Sequence, residues 1–155
     1  VIEGLDTEGL LHTAVATLGK IFVGAELGGG GVLTPETAAI AETGIRNVLR
    51  HFGMMKGKPE TPEWRGRRES RVMETPDISC FTMAMDDGLY EPFVELRDEV
   101  KKSQPLGQIH FAQAPERDPL VLRAKTAGML YCRRAPGRIE KGDTLAVLAK
   151  PTSAW

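Results

Sequence analysis

Apolar residues recur along this chain with two different periods, and the change of period divides it. From about Thr7 to Lys20, Leu10, Leu11, Ala14, Val15 and Leu18 fall on one helical face, and Gly19 stops the run. Ile21 to Leu27 is a short, nearly continuous apolar run that reads as a buried strand, broken near its end by Glu26 and followed by Gly28-Gly29-Gly30-Gly31. A second helix is announced by Thr34 as N-cap, Pro35 at the first position and Glu36 in the first turn, where negative charge meets the helix dipole. Ala38, Ala41, Ile45, Val48, Leu49 and Phe52 keep one face of it apolar as far as Gly53, a plausible stop. Helix, strand, glycine turn and helix predict the end of an α/β layer over residues 1–53, with Glu26 at the carboxyl end of its strand. Ligands bind at that end in open α/β sheets. One strand has no sheet to join, so this piece is not a whole domain.

From Met54 to Glu69 the apolar period disappears. Lys56, Lys58, Arg65, Arg67 and Arg68 alternate with Gly57, Pro59, Pro62 and Gly66, and residues 54–70 read as a solvated linker. From Arg71 onward the period is that of short strands with turn signals: Val72-Met73, Ile78 to Met85, Leu89 to Val94, Leu106 to Phe111, Leu120 to Lys125, Met129 to Arg133 and Leu145 to Ala149. Residues 71–155 also repeat. Gly88-Leu89 followed by Val100-Lys101-Lys102-Ser103-Gln104-Pro105-Leu106 matches Gly128-Met129 followed by Ile139-Glu140-Lys141-Gly142-Asp143-Thr144-Leu145. Two such halves predict a pseudo-symmetric, all-β arrangement.

Composition narrows the function classes. A chain of 155 residues, 41% hydrophobic and 26% charged, is an ordinary globular sequence. Its formal charge of -1 gives no electrostatic footprint for nucleic acid or an acidic membrane surface, and no apolar run reaches the roughly 20 residues that span a bilayer. The start at Val1 lacks an initiator Met and the basic and apolar regions of a signal peptide, which leads us to expect a chain cut from something longer. Cys80 and Cys132 lie in strand-like runs, as expected of reduced, buried thiols in a cytoplasmic protein. Nothing in the sequence decides whether the chain forms a homo-oligomer.

Glu26 is the strongest candidate for chemistry. Glutamate is almost never buried without a partner, so one at a strand mouth asks for a cation, a bound water or a polar pocket. The glycines after it allow positive φ and close approach. A flexible loop with an incidental surface carboxylate accounts for the spacing equally well. A nucleotide-binding reading fails, because no Lys follows the glycines and Leu33 stands where a Gly-x-Gly-x-x-Gly pattern needs glycine. His12, His51 and His110 show no metal-ligand spacing and read as structural or surface histidines.

Glu26-Leu27-Gly28-Gly29-Gly30-Gly31, with Thr34-Pro35-Glu36 after it, resembles the catalytic-glutamate segment of the succinylglutamate desuccinylase/aspartoacylase family of zinc deacylases, and most closely its ectoine-pathway branch. The repeat after residue 71 resembles the halves of biotinyl/lipoyl carrier domains, a barrel-sandwich arrangement that the family carries after its catalytic domain. Arg97 and Ser103 depart from this pattern, standing where it usually has glycine. The resemblance implies a zinc-carboxypeptidase-like catalytic domain ending in residues 1–53, a small N-acyl amino acid as substrate, and Glu26 as general base. It also implies a zinc ion held by ligands upstream of Val1, so this chain alone is expected to bind no zinc and to be inactive. The alternative is a non-catalytic, carrier-like interaction module. A true carrier domain needs a modifiable lysine between its halves, and the connection from Ala112 to Pro119 has none; Lys125 is expected inside the next strand.

Overall fold

A computed structural model describes residues 9–61 and 71–152, which belong to two separate units. In the first, helix α1 spans Leu11–Thr17 and helix α2 spans Pro35–His51. Helix α1 has no side-chain cap and ends at Gly19, whose φ is +63°. Helix α2 starts where the sequence predicts and closes through Phe52 and Gly53, the latter at φ +68°.

The predicted strand at 21–27 is not formed. These residues join no sheet ladder, and Ile21 and Val23 are 77% and 73% exposed. A strand is defined by its partner, and none of the described residues supplies one. Not one described residue between 9 and 61 is buried. The apolar face of α2 is uncovered along Ile45, Val48 and Phe52.

Among its described residues the second unit holds nine short strands, all paired antiparallel. Strands β1 (Met73–Glu74) and β2 (Phe81–Met83) follow one another along the same side of β9 (Thr144–Pro151), whose other side pairs with β7 (Gly128–Arg133) and, beyond it, β4 (Glu99–Val100). The second sheet runs β6 (Leu120–Arg123), β5 (Pro105–His110), β3 (Gly88–Pro92), β8 (Arg138–Ile139). Two strands, β4 and β8, are absent from the sequence expectation. The run predicted as a strand from Ile78 opens instead as a single 3-10 turn, Ile78–Cys80, because the Asp77 carboxylate accepts the Ser79 amide hydrogen bond and tightens the chain there. Lys125 lies outside the strand predicted for it. Strand β6 ends at Arg123, since Ala124 turns its N–H away to the carbonyl of Gln104.

The internal repeat is a real pseudo-symmetry with exchanged partners. Strand β4 of the first half pairs with β7, Val100 opposite Gly128, and β8 of the second half pairs with β3, Ile139 opposite Gly88. The turns correspond bond for bond: Ser103 N–H donates to Ala124 O and Ala124 N–H to Gln104 O, while Gly142 N–H donates to Ala84 O and Ala84 N–H to Asp143 O. Both apolar cores mix the halves, one around Val100, Leu106, Leu130 and Leu148, the other around Ile139, Leu145, Tyr90 and Ile109. Gly88 and Gly128 lie against their other neighbours, since a Cβ at either would lie 2.5 Å from His110 O on β5 or 2.7 Å from Ala149 O on β9.

Cys80 is buried, as expected, but Cys132 is exposed. A bulge between Leu130 and Cys132 inserts Tyr131 into β7 and reverses the side on which the following residues face. Alternation alone would have put Cys132 inside with Leu130. Both thiols are free.

Candidate functional site

Glu26 sits on the extended segment between the two helices. Its carboxylate is exposed and makes no hydrogen bond or ion pair with any described residue. The glycine turn after it is tightly built. Gly28 has φ +89°, and a Cβ there would lie 3.2 Å from Val32 O and 3.4 Å from Thr37 Cγ2. Gly29 and Val32 form a bridge closed by a 3.2 Å hydrogen bond from Val32 N–H to Gly29 O, with Gly30 and Gly31 at φ +63° and +72°. Two successive positive φ values are those of a type I′ turn, which glycine supplies without steric cost.

The turn delivers the chain into a reciprocal cap. Thr34 Oγ1 accepts from Thr37 N–H at 3.1 Å, and Thr34 N–H donates to Thr37 Oγ1 at 3.0 Å. Sequence reasoning found Thr34 and Pro35 but missed Thr37. The signal was the Thr-x-x-Thr spacing, in which a hydroxyl takes the place of the usual Glu or Gln. At the other end of the segment, Phe22 lies 6.0 Å from the His12 ring, centroid to centroid. The stretch bearing Glu26 is thus tied down on α1 by one contact and at α2 by a turn and a cap.

The three histidines lie apart from any metal-binding group. His12 faces Phe22, His51 meets Phe52 edge-on at 5.0 Å, and His110 pairs with Glu91 at 2.6 Å. Among the described residues no three His, Cys, Asp or Glu side chains stand close enough to hold a metal ion. None of the described helices is long and apolar enough to cross a membrane.

No family model matches the chain. Over 147 residues, 94% of its length, it is 40% identical to the N-alpha-acetyl-L-2,4-diaminobutyric acid deacetylase of Halomonas elongata, and the match covers 42% of that protein. Among solved structures, the product-bound ectoine utilization protein EutE (DoeB) from Ruegeria pomeroyi aligns with a TM-score of 0.85 at 36% identity, over 94% of this chain and 43% of that one. The succinylglutamate desuccinylase/aspartoacylase from Rhodobacter sphaeroides aligns with a TM-score of 0.83 at 34% identity, over 90% and 43%. The chain therefore spans less than half the length of these relatives. In sequence over more than nine-tenths of its length, and in its arrangement of two helices and antiparallel sheets, it is a relative of the succinylglutamate desuccinylase/aspartoacylase proteins.

Proposed function

We propose that this chain is part of an amide hydrolase that removes an acyl group, acetyl foremost, from a small N-acyl amino acid. The observation that carries this reading is the 40% identity to a diaminobutyrate deacetylase across 94% of the chain. Glu26 is the residue to which we assign proton transfer. Its carboxylate is exposed and unengaged among the described residues, and the glycines beside it leave room for backbone and substrate. In that role it accepts the proton of the attacking water as the new C–O bond forms. It then returns that proton to the amide nitrogen as the C–N bond breaks, leaving a carboxylate and a free amine.

The zinc that the resemblance implies is a different matter. The described residues do not by themselves fit a metal site, so no step is drawn through it. For residues 71–155 we keep the barrel-sandwich reading, on the strength of the exchanged pairing of β4 with β7 and β8 with β3. No observation favours the alternative, a non-catalytic interaction module.

Glu26→Gln in the protein that carries this chain tests the assignment, with N-acetyl-diaminobutyrate as substrate. Amide replaces carboxylate at nearly constant size, so kcat should fall by about 10²–10⁴ while KM and melting temperature change little. A merely structural carboxylate would lower the melting temperature and spare the rate. Retained turnover would end the assignment.

A further inference from the structure

Three turns of the β unit meet at one end of the four-stranded sheet and enclose a cleft of about 700 Å³. They are the β2–β3 turn with Asp86 and Asp87, the β5–β6 connection with Phe111 and Arg117, and the β8–β9 turn with Glu140. Turns on a surface are ordinarily the loosest part of a fold, but these are bonded to one another. Arg117 donates to Asp86 at 2.7 Å, and its guanidinium carbon lies 3.6 Å from the centroid of the Phe111 ring. The amide of Lys141 donates to Asp87 Oδ1 at 2.7 Å. The cleft is therefore held open in a fixed shape. Leu89, Phe111 and Ile139 give it apolar walls, and its volume falls within the roughly 300–1,000 Å³ of small-molecule sites.

Its polar groups differ in how far they are committed. Asp86 is neutralised by Arg117, which is also stacked on Phe111. Arg138 and Glu140, by contrast, stand 4.0 Å apart, with side chains 85% and 74% exposed. That pair is at the limit of an ion pair and worth little in water. A weakly paired cation and anion lining a cleft with apolar walls are complementary to a ligand with both charges and an apolar body. We propose that this cleft binds a small zwitterion, an unacylated amino acid with an apolar side chain. Its carboxylate takes the Arg138 guanidinium, its ammonium takes Glu140, and its side chain lies against Leu89 and Phe111. The proposal does not depend on the hydrolase reading.

Isothermal titration of the protein with L-phenylalanine, phenylalaninamide and N-acetyl-L-phenylalanine tests both charges. The free amino acid should bind at least about tenfold more tightly than either blocked form, since each lacks one charge-assisted contact. Arg138→Gln should erase the preference over the amide, and Glu140→Gln the preference over the acetyl form. Both side chains lie on the surface, so thermal melts of the variants should match the parent. Glu26→Gln should leave all three affinities unchanged, which separates this cleft from the proposed catalytic residue. Equal binding of the three compounds, or no binding of phenylalanine up to ~10 mM, would overturn the proposal, as would binding lost in Glu26→Gln but kept in Arg138→Gln.

Discussion

At the scale of single residues, the imperfections of the internal repeat are the most informative positions. Arg97 and Ser103, which depart from the glycine pattern, are the two described non-glycine residues with positive φ, at +83° and +67°. Ser103 corresponds to Gly142, at φ +95°. A left-handed L-residue costs about 1–2 kcal/mol and glycine's extra chain entropy about 0.5–1. Ser103→Gly should therefore stabilise the protein modestly and Gly142→Ala destabilise it, both read from chemical denaturation. Tyr90 is a second imperfection, occupying the place that Leu130 holds in the other half. Its hydroxyl is buried with no hydrogen-bond partner among the described residues, and burial pushes the phenol above its usual range although Arg133 pulls the other way. Tyr90→Phe removes the orphaned group and keeps the ring, so the stability should hold or rise by about 1 kcal/mol. A loss above that size would mean the hydroxyl has a partner. Carboxylates on the same unit set its response to acid. His110 and then Gln108 hydrogen-bond to Glu91 and hold its carboxyl below the ordinary 4.5; Arg117 does the same for Asp86, and Ser79 for Asp77. A depressed folded value means that the contribution is present above the unfolded value and lost as pH falls through the folded one. Glu91→Gln should flatten the fall in stability below about pH 4.5, and an unchanged acid limb in thermal melts would dismiss the pairing.

At the scale of elements, what could be read from sequence depended on whether the element carries its own signal. Helix α2 does, through Thr34, Pro35, Glu36 and the spacing of its apolar residues, and its start lies where the sequence put it. The longer strands do as well, because alternation and glycine turns mark them. Strands β4 and β8 have two residues each and exist only through their pairing with β7 and β3 of the other half. No local pattern could announce them. The Tyr131 bulge is equally silent in the sequence, and it is what exposes Cys132. The glycine turn after Glu26 was legible through its run of glycines, and three of them take positive φ, whereas the strand before it did not form, because a ladder needs a second strand. The cap gives this scale its own test. Thr34→Ala removes the acceptor for Thr37 N–H and should cost α2 about 1 kcal/mol. Thr37→Ala should cost less: it spares that bond, and although the hydroxyl no longer accepts from Thr34 N–H or donates to Thr34 O, that carbonyl keeps the Ala38 N–H. Helical circular dichroism on heating would show the order, and equal effects would mean that the cap is frayed in solution.

At the scale of the molecule, the two units differ in what holds them. Every buried residue among those described lies between 71 and 152, including Leu106, Ile109, Leu130 and Leu145 at or below 1% exposure. Residues 9–61 bury none, yet expose Ile21, Val23, Leu33, Ile45 and Phe52. Ordering a backbone residue costs about 1–2 kcal/mol, and helices of seven and seventeen residues gain little from propensity alone. Without apolar burial nothing offsets that cost. The β unit, with two closed cores built from both of its halves, has the burial it needs. Residues 71–155 produced alone should therefore unfold in one cooperative thermal transition and show well-dispersed amide resonances. Residues 1–70 produced alone should show neither as a monomer: partial helicity that melts without a midpoint, and exposed apolar surface that binds a hydrophobic dye. Relatives more than twice as long as this chain have polypeptide to spare for covering such a surface, and adding that polypeptide in trans should raise the helicity of 1–70. A sharp transition of monomeric 1–70 on its own would show that its helices pack far more tightly than their exposure allows.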